Sequence, residues 1–379
     1  MTTSESHPSQ PDRDAQANWD ALLTDGYAAL ARGDAQAARS CFARAQGLPA
    51  GNDTQWLELG IGLRRQGDLT EAEHALRQAL VRAPDRIETL EALGDLLTHL
   101  GRTMEAAPFI CQAFVLRPAE GQLPKMRATA YYILGRVDEA AAVYKAWLEA
   151  EPGNPTAAHL YAACAGTPPP ARASDAYVTT MFDEFAGRFD DHLKQLDYRV
   201  PAEIADILPT LAPPGRQWRV VDGGCGTGLV GPTLAPWARR LIGIDLSLAM
   251  LEKAHARHVY HDLVHAELTA ELARHPASCE LLCMADTLIY FGDVAEVFKA
   301  GAASLTPGGR LVFSVESLDP NAATPYRLQP TGRYAHQTAY IKAGLAAAGL
   351  SIDLAKPITV RTELGRAVPG TLFVARCPT

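Results

Sequence analysis

Residues 219 to 231 read Arg-Val-Val-Asp-Gly-Gly-Cys-Gly-Thr-Gly-Leu-Val-Gly, and they decide the fold of the second half of the chain. Arg219, Val220 and Val221 read as the end of a buried parallel strand that Asp222 closes. Gly223, Gly224, Gly226, Gly228 and Gly231 follow within nine positions, and an apolar helix is expected from Leu229. Glycine between a strand and a helix tolerates the positive φ of a tight turn and lets bare backbone come close to a ligand. Such a loop is built to hold something against its main chain.

Spacing separates two candidate ligands. Gly226-Thr227-Gly228-Leu229-Val230-Gly231 is a literal G-x-G-x-x-G, which by itself points to a pyrophosphate on a helix N-terminus. In that fingerprint the first glycine follows the strand almost directly, whereas here Asp222-Gly223-Gly224-Cys225 intervenes. The stretch resembles motif I of the class I S-adenosylmethionine-dependent methyltransferases, acid-x-Gly-x-Gly-x-Gly, with Asp222, Gly224, Gly226 and Gly228 in the four places. It departs from the common form in having Gly223 where a bulky apolar residue is usual. The resemblance implies a Rossmann-like, seven-stranded α/β domain and S-adenosyl-L-methionine as cofactor, held by the backbone from Asp222 to Gly228 with Gly223 and Cys225 included.

Further site residues follow strand by strand. Arg240 to Ile244 reads as a second strand ending at Asp245, followed by Leu246-Ser247 and a helix from Leu248. An acid at that tip accepts hydrogen bonds from ribose hydroxyls, which suits either nucleoside cofactor. Glu267, near the end of the third strand, falls where related enzymes hold the adenine amino group, with Leu268 packing on the ring; an ordinary surface glutamate is the rival reading. The fourth strand, Leu281 to Ala285, leads into Asp286 and Tyr290, which would face the acceptor because ligands bind beyond the carboxyl ends of parallel strands. A structural aspartate is the alternative for Asp286. Pro307-Gly308-Gly309-Arg310 reads as a turn into the fifth strand, Leu311 to Val315, which ends in Glu316. The candidate bases are His336, Tyr290 and Glu316, with His336 first because an imidazole takes a proton near neutrality.

Before the sheet, Val178 to Leu196 places Phe182, Phe185 and Phe189 three and four residues apart, on one helical face. In methyltransferases of this kind such a segment forms a lid; an amphipathic helix packed by its phenylalanines is the plain alternative. His255, His258, His261 and His265 cluster after the second strand, but no acid or cysteine completes a metal set and no metal is expected.

The first half of the chain repeats itself. Gly33, Gly67, Gly101 and Gly135 are spaced by 34 residues, as are Ala38, Ala72, Ala106 and Ala140; Pro84, Pro118 and Pro152 keep the period, with Pro49 one place early. This pattern resembles the tetratricopeptide repeat, a helix-turn-helix unit, and Trp56, Leu59, Gly60, Leu63, Ala72, Leu76 and Ala79 fall at its packing positions. The outer copies depart from it with Asp25 and Arg127 at leucine positions. Four copies form an all-α solenoid, which implies a docking groove for a protein or peptide; packing on the second domain or dimerisation are the alternatives.

The expected organisation is a disordered N-terminus at 1–16, a repeat domain with a capping helix at 17–166, a Pro-rich spacer at 167–174 and the methyltransferase domain at 175–379. Thr331 to His336 and Arg361-Thr362-Glu363 add to a resemblance, over nearly the whole chain, to a bacterial family of predicted methyltransferases carrying tetratricopeptide repeats. A net charge of -8 disfavours nucleic acid, seven scattered cysteines disfavour a disulfide framework, and the lack of a long apolar run points to a soluble cytoplasmic protein. The function expected is methyl transfer to an O or N acceptor on a small molecule or a docked protein. A dinucleotide-dependent oxidoreductase and a non-catalytic repeat scaffold are the alternatives.

Overall fold

The computed structural model describes residues 10–48, 51–166 and 168–379. Residues 1–9, 49–50 and 167 lie outside the described residues, and with them part of the expected disordered terminus, the early proline of the first repeat and the start of the spacer. A helix begins at Gln10 and runs to Ala31, so residues 10–16 are helical rather than disordered. The chain divides into two compact units, residues 1–140 and 141–379.

The first unit is a run of helix-turn-helix pairs: Gln10–Ala31 with Ala35–Gln46, Asp53–Gln66 with Leu69–Arg82, and Ile87–His99 with Thr103–Leu116. The 34-residue glycines have a common cause. Gly33, Gly67, Gly101 and Gly135 have φ of 78°, 90°, 75° and 74°, the left-handed turn that follows a helix end and favours glycine. A second periodic set sits where helices touch. A Cβ on Gly26 would meet the Phe42 ring, one on Gly60 would lie 2.7 Å from Leu76 Cγ, and one on Gly94 would lie 2.7 Å from Ile110 Cγ1. Each pair is thus closed by one large side chain seated on a bare backbone. Trp19, Phe42, Leu59, Ala72, Leu76 and Leu93 form one continuous buried core.

The second unit is a nine-stranded sheet with helices on both faces. Its strands are β1 (Trp218–Gly223), β2 (Ala238–Asp245), β3 (Asp262–His265), β4 (Cys279–Met284), β5 (Leu305–Ser317), β6 (Tyr326–Leu328), β7 (Tyr334–His336), β8 (Ser351–Glu363) and β9 (Arg366–Arg376). The parallel order is β3-β2-β1-β4-β5, and β9 then joins β5 antiparallel and carries β8 beyond it. Seven strands were expected, and the sheet has nine. The other two form a hairpin, β6–β7, which the sequence reading did not include. β7 adds in parallel to β5 at Glu316, on the edge opposite β9 and beyond the end of β4.

Alternation along the strands sorts the core into two layers. Leu311, Phe313 and Val315 pack with Phe298, Ile341 and Leu345 on one face, while Val312 joins Val220, Leu281 and the helix Val200–Leu211 on the other. Pro307-Gly308-Gly309 is a bulge inside β5 rather than a turn before it. Cys279 pairs with Leu305 and Leu281 already with Arg310, with Gly308 at φ 74° absorbing the extra residues. The helix expected from Leu229 is a single turn, Gly231–Leu234. Its first residue, Gly231, packs against Tyr260, where a Cβ would lie 2.7 Å from the hydroxyl.

The helix Pro155–Cys164, expected to cap the repeats, belongs to the second unit. His159 stacks on Tyr177 at 3.9 Å and its Nε2 lies 2.9 Å from Gly332 O. The segment read as a stiff spacer is likewise attached. Ala171 O accepts from the Gly292 and Asp293 N–H groups, and Ala173 N donates to Tyr290 O. Unpaired backbone in an extended segment takes whatever strand-like partner is near, and here that partner is the loop after β4.

Candidate active site

A cavity opens beyond the carboxyl ends of β1, β2 and β4, bounded by the glycine loop, by Leu246, by Glu267-Leu268 and by Asp286-Thr287. Gly224, Gly226 and Gly228 all have positive φ, which winds the loop tightly after β1. Gly224 N and Cys225 N donate to Ile244 O at 2.8 and 3.0 Å, tying the loop to the end of β2. A Cβ on Gly226 would meet nothing within 4 Å, so its bare backbone faces open space. Gly228 and Gly231 instead pack on Tyr260. Gly223 ends β1 outside the cavity lining, where a Cβ would lie 2.8 Å from Leu268; a bulky residue is excluded because Leu268 occupies its space.

Two carboxylates stand beneath the loop. Asp222 is buried and accepts from Tyr260 OH at 2.6 Å. Burial pushes its carboxyl up to about 7, the Tyr260 hydrogen bond holding it back and the charge of Asp245 adding to the rise. Asp245 accepts from Gly226 N at 2.8 Å and from Ser247 N at 2.9 Å. Burial raises its carboxyl as well, and these backbone N–H groups oppose the rise. Each oxygen accepts one backbone bond and retains lone-pair capacity for a ligand.

Glu267 lines the cavity but is engaged. Its two oxygens cap the helix Leu268–Arg274 by accepting from Thr269 N at 3.1 Å and Ala270 N at 2.7 Å. The role of adenine acceptor therefore competes with a cap, because the acid stands just before the helix and its first N–H groups are nearer than any ligand. Leu246 and Leu268 supply apolar wall.

At the acceptor end, Asp286 sits at φ 56°, a left-handed conformation unusual for a residue other than glycine. Its Oδ2 lies 3.0 Å from Arg361 Nη1, while Oδ1 is buried with no partner. Burial pushes this carboxyl up to about 6, with Arg361 pulling it down. Arg361, whose side chain is 3% exposed, also donates to Glu316 and, from Nε at 2.6 Å, to Glu363. Arg333 donates to Glu316 at 3.0 Å and to Glu363. Both arginines line the cavity, as does Tyr290.

Two of the three candidate bases stand elsewhere. His336 is fully buried in β7, outside the cavity lining, with Nε2 2.7 Å from Phe291 O. Burial pushes its imidazole down to about 4, so it is neutral and sealed from an acceptor. Its place after the fifth strand put it in a hairpin strand, not at the cavity. Glu316 lies behind the wall, held by Arg361, Arg333 and Gln329. Burial raises the Tyr290 phenol far above its ordinary value, which disfavours a phenolate base.

The lid segment is two helices, Asp175–Phe185 and Phe189–Gln195, rather than one. Phe182, Phe185 and Phe189 all line the cavity. Acids on these helices reach the cofactor side. Asp190 accepts from Thr227 Oγ1 at 2.5 Å and from Arg257, and Asp183 accepts from Ser247 Oγ at 2.5 Å. The four clustered histidines do not converge. His261 Nδ1 accepts from Leu241 N, His265 lies against Leu246 O, and among the described residues no group could hold a metal ion. The residues absent from the sequence reading of the site are Arg333, Arg361, Asp190, Thr227 and His192. The acids at 183, 190 and 191 between aromatic positions were the available signal.

Two regions of the chain are similar to known proteins. A family model described as a methyltransferase domain matches residues 192–351, and one described as a tetratricopeptide repeat matches 57–122 and 112–155. A ubiquinone biosynthesis O-methyltransferase of Ralstonia nicotianae is 33% identical over 140 residues, 35% of this chain and 58% of the relative. That of Stutzerimonas stutzeri is 30% identical over 108 residues, 27% of this chain and 47% of the relative. The chain thus spans about half the length of these curated relatives. A solved S-adenosylmethionine-dependent methyltransferase from Mesorhizobium loti is 22% identical, with a TM-score of 0.36 over 45% of this chain and 96% of the other.

Proposed function

We propose, from the premise that this chain unites a methyltransferase domain with tetratricopeptide repeats, that it transfers a methyl group to an acceptor oxygen in the cavity beyond β4. The cofactor is S-adenosylmethionine, which supplies a methyl group activated by its positive sulfur. The observation that carries the reading is the bare backbone at Gly226 with its N–H on Asp245 Oδ2. We assign Asp245 to the ribose hydroxyls, and Leu246 and Leu268, which line the same cavity, to the faces of a base. A diphosphate fits poorly here. Asp222 and Asp245 lie beneath the loop, and the helix that follows is one turn long, too short for a useful dipole.

The chain's part in the reaction is placement and exclusion of water. An in-line displacement at carbon gains most from holding the two reactants in line at contact distance. Asp183 and Asp190 tie the lid helices to Ser247 and Thr227, which brings Phe182, Phe185 and Phe189 over the cavity. Oxygen is favoured as acceptor by the O-methyltransferases among the relatives. The repeats dock a protein partner through their groove, consistent with the solenoid of residues 10–116.

Titration calorimetry tests the cofactor. S-adenosylmethionine should bind the wild type and NAD(H) should not. Gly226→Val, which strains a position at φ 53° and fills the open space, should weaken binding at least tenfold while melting within a few degrees of wild type. Binding of the nicotinamide compound alone would refute the reading. A labelled-methyl assay on protein and small-molecule fractions then identifies the acceptor, and retention of a defined partner by the full chain tests docking.

A further inference from the structure

The helix Pro155–Cys164 carries a buried imidazole to the place where two walls of the cavity meet. His159 is 4% exposed, and its ring stacks on Tyr177 at 3.9 Å with the planes 23° apart. Tyr177 belongs to the lid helix Asp175–Phe185, whose Phe182 and Phe185 line the cavity. The edge of the same ring reaches the hairpin β6–β7. Its Nε2 lies 2.9 Å from Gly332 O, and because a carbonyl only accepts, Nε2 carries the hydrogen and donates. Burial pushes this imidazole down, which keeps it neutral.

Gly332 is fitted to the contact. It sits at φ 80°, and a Cβ there would lie 2.7 Å from the Tyr177 hydroxyl and 3.0 Å from Leu160 Cδ2. The turn closes on itself, with Gly332 N donating to Gln329 O and Gln329 N to Arg333 O, both at 2.8 Å. Gly332 O is left to the imidazole. Arg333 follows directly in the chain, lines the cavity, and donates to Glu316 at 3.0 Å and to Glu363.

One ring thus touches the lid with its face and the arginine-bearing turn with its edge. We infer that His159 is a positioning residue: its stack on Tyr177 seats the lid phenylalanines over the bound cofactor, and its hydrogen bond to Gly332 O fixes the reach of Arg333. His159 does not itself line the cavity, so it acts only through these two neighbours. A flat face and a buried donor are needed on one side chain, which phenylalanine and glutamine each supply only in half. His159 and Tyr177 both precede residue 192, where the matched methyltransferase segment begins. The inference rests on the methyl-transfer reading for the identity of the cofactor, and on the contacts alone for the clamp.

Two substitutions in the full chain separate the contacts. His159→Phe keeps a ring for Tyr177 and removes the donor, whereas His159→Gln keeps a donor for Gly332 O and removes the ring. Hydrogen exchange read by mass spectrometry, with and without S-adenosylhomocysteine, follows the two walls separately. In His159→Phe the amides of 329–336 should exchange roughly tenfold faster while those of 175–185 stay within about twofold of wild type, and in His159→Gln the pattern should reverse. By calorimetry, S-adenosylmethionine should bind about fivefold more weakly to His159→Gln and within about twofold of wild type to His159→Phe, because Arg333 stands at the acceptor end. A merely structural histidine would loosen both segments together in both variants. That result, or wild-type exchange in both segments, would overturn the inference. Should one variant fail to fold, the contrast between the two segments of the other still decides. A wild-type chain that binds no S-adenosylmethionine would overturn the methyl-transfer reading instead, and exchange in the ligand-free protein would still test the clamp.

Discussion

Burial of Asp222 makes the glycine loop sensitive to pH. Its folded-state carboxyl lies at about 7, above the ordinary aspartate value, so the folded protein holds that proton more tightly than the unfolded chain. Stability from this group is complete below the ordinary value and is lost as pH rises through 7. Asp222→Asn keeps an acceptor for Tyr260 and removes the ionisation. The variant should therefore gain on wild type by about 1 to 4 kcal/mol between pH 5 and pH 8. Thermal melts at the two pH values measure the difference; a gap that narrows as pH rises would contradict the assignment. His336 works in the opposite direction. Its imidazole, pushed down to about 4, favours the neutral form, so its contribution is lost as pH falls from the ordinary histidine value toward 4.

At the scale of elements, the repeat helices are held by glycines facing single large side chains. Gly60 is the most informative, since its missing Cβ would lie 2.7 Å from Leu76 Cγ and 3.3 Å from Ala72 O. Leu76 is fully buried and cannot swing aside without opening the core. Gly60→Val should cost about 1 to 3 kcal/mol despite the better helix propensity of valine, because overpacking outweighs the backbone gain. Urea unfolding of the variant measures the loss, and unchanged stability would mean that the helices separate more easily than their packing implies. Among the sheet elements, β7 gives the clearest contrast between pattern and placement. Tyr334-Ala335-His336 was read only as a stretch after the fifth strand, yet it pairs with Glu316 and Ser317 and becomes part of the sheet.

For the whole molecule, the two units have separate hydrophobic cores, one drawn from residues between 19 and 106 and the others from residues between 200 and 375. Scanning calorimetry of the full chain should show two transitions, and S-adenosylmethionine should raise only one of them, since a ligand stabilises the unit whose folded form it binds. A single transition that moves as a whole would show that the units unfold together. The boundary also bears on how partners are sought. The helix Pro155–Cys164 and residues 168–174 belong with the second unit, so a fragment ending at 166 would cut through it.

What the sequence determined by itself was everything whose cause is local. The 34-residue period is legible because each copy needs a left-handed glycine after a helix and a small residue under a large one. The motif from Asp222 to Gly228 is legible because a strand-to-loop turn dictates its own residue types within seven positions. The helix cap at Glu267 was equally local, but the acid was read for its ligand rather than for the N–H groups beside it. Only the tertiary structure decided the pairing of Arg361 with Asp286 and Glu316, 75 and 45 residues away in the chain, and with it which candidate bases face the cavity. It also decided the unit to which Pro155–Cys164 attaches, since an apolar helix face suits either neighbour. Ion pairs and burial depend on where distant strands meet, and no spacing along a chain encodes that distance.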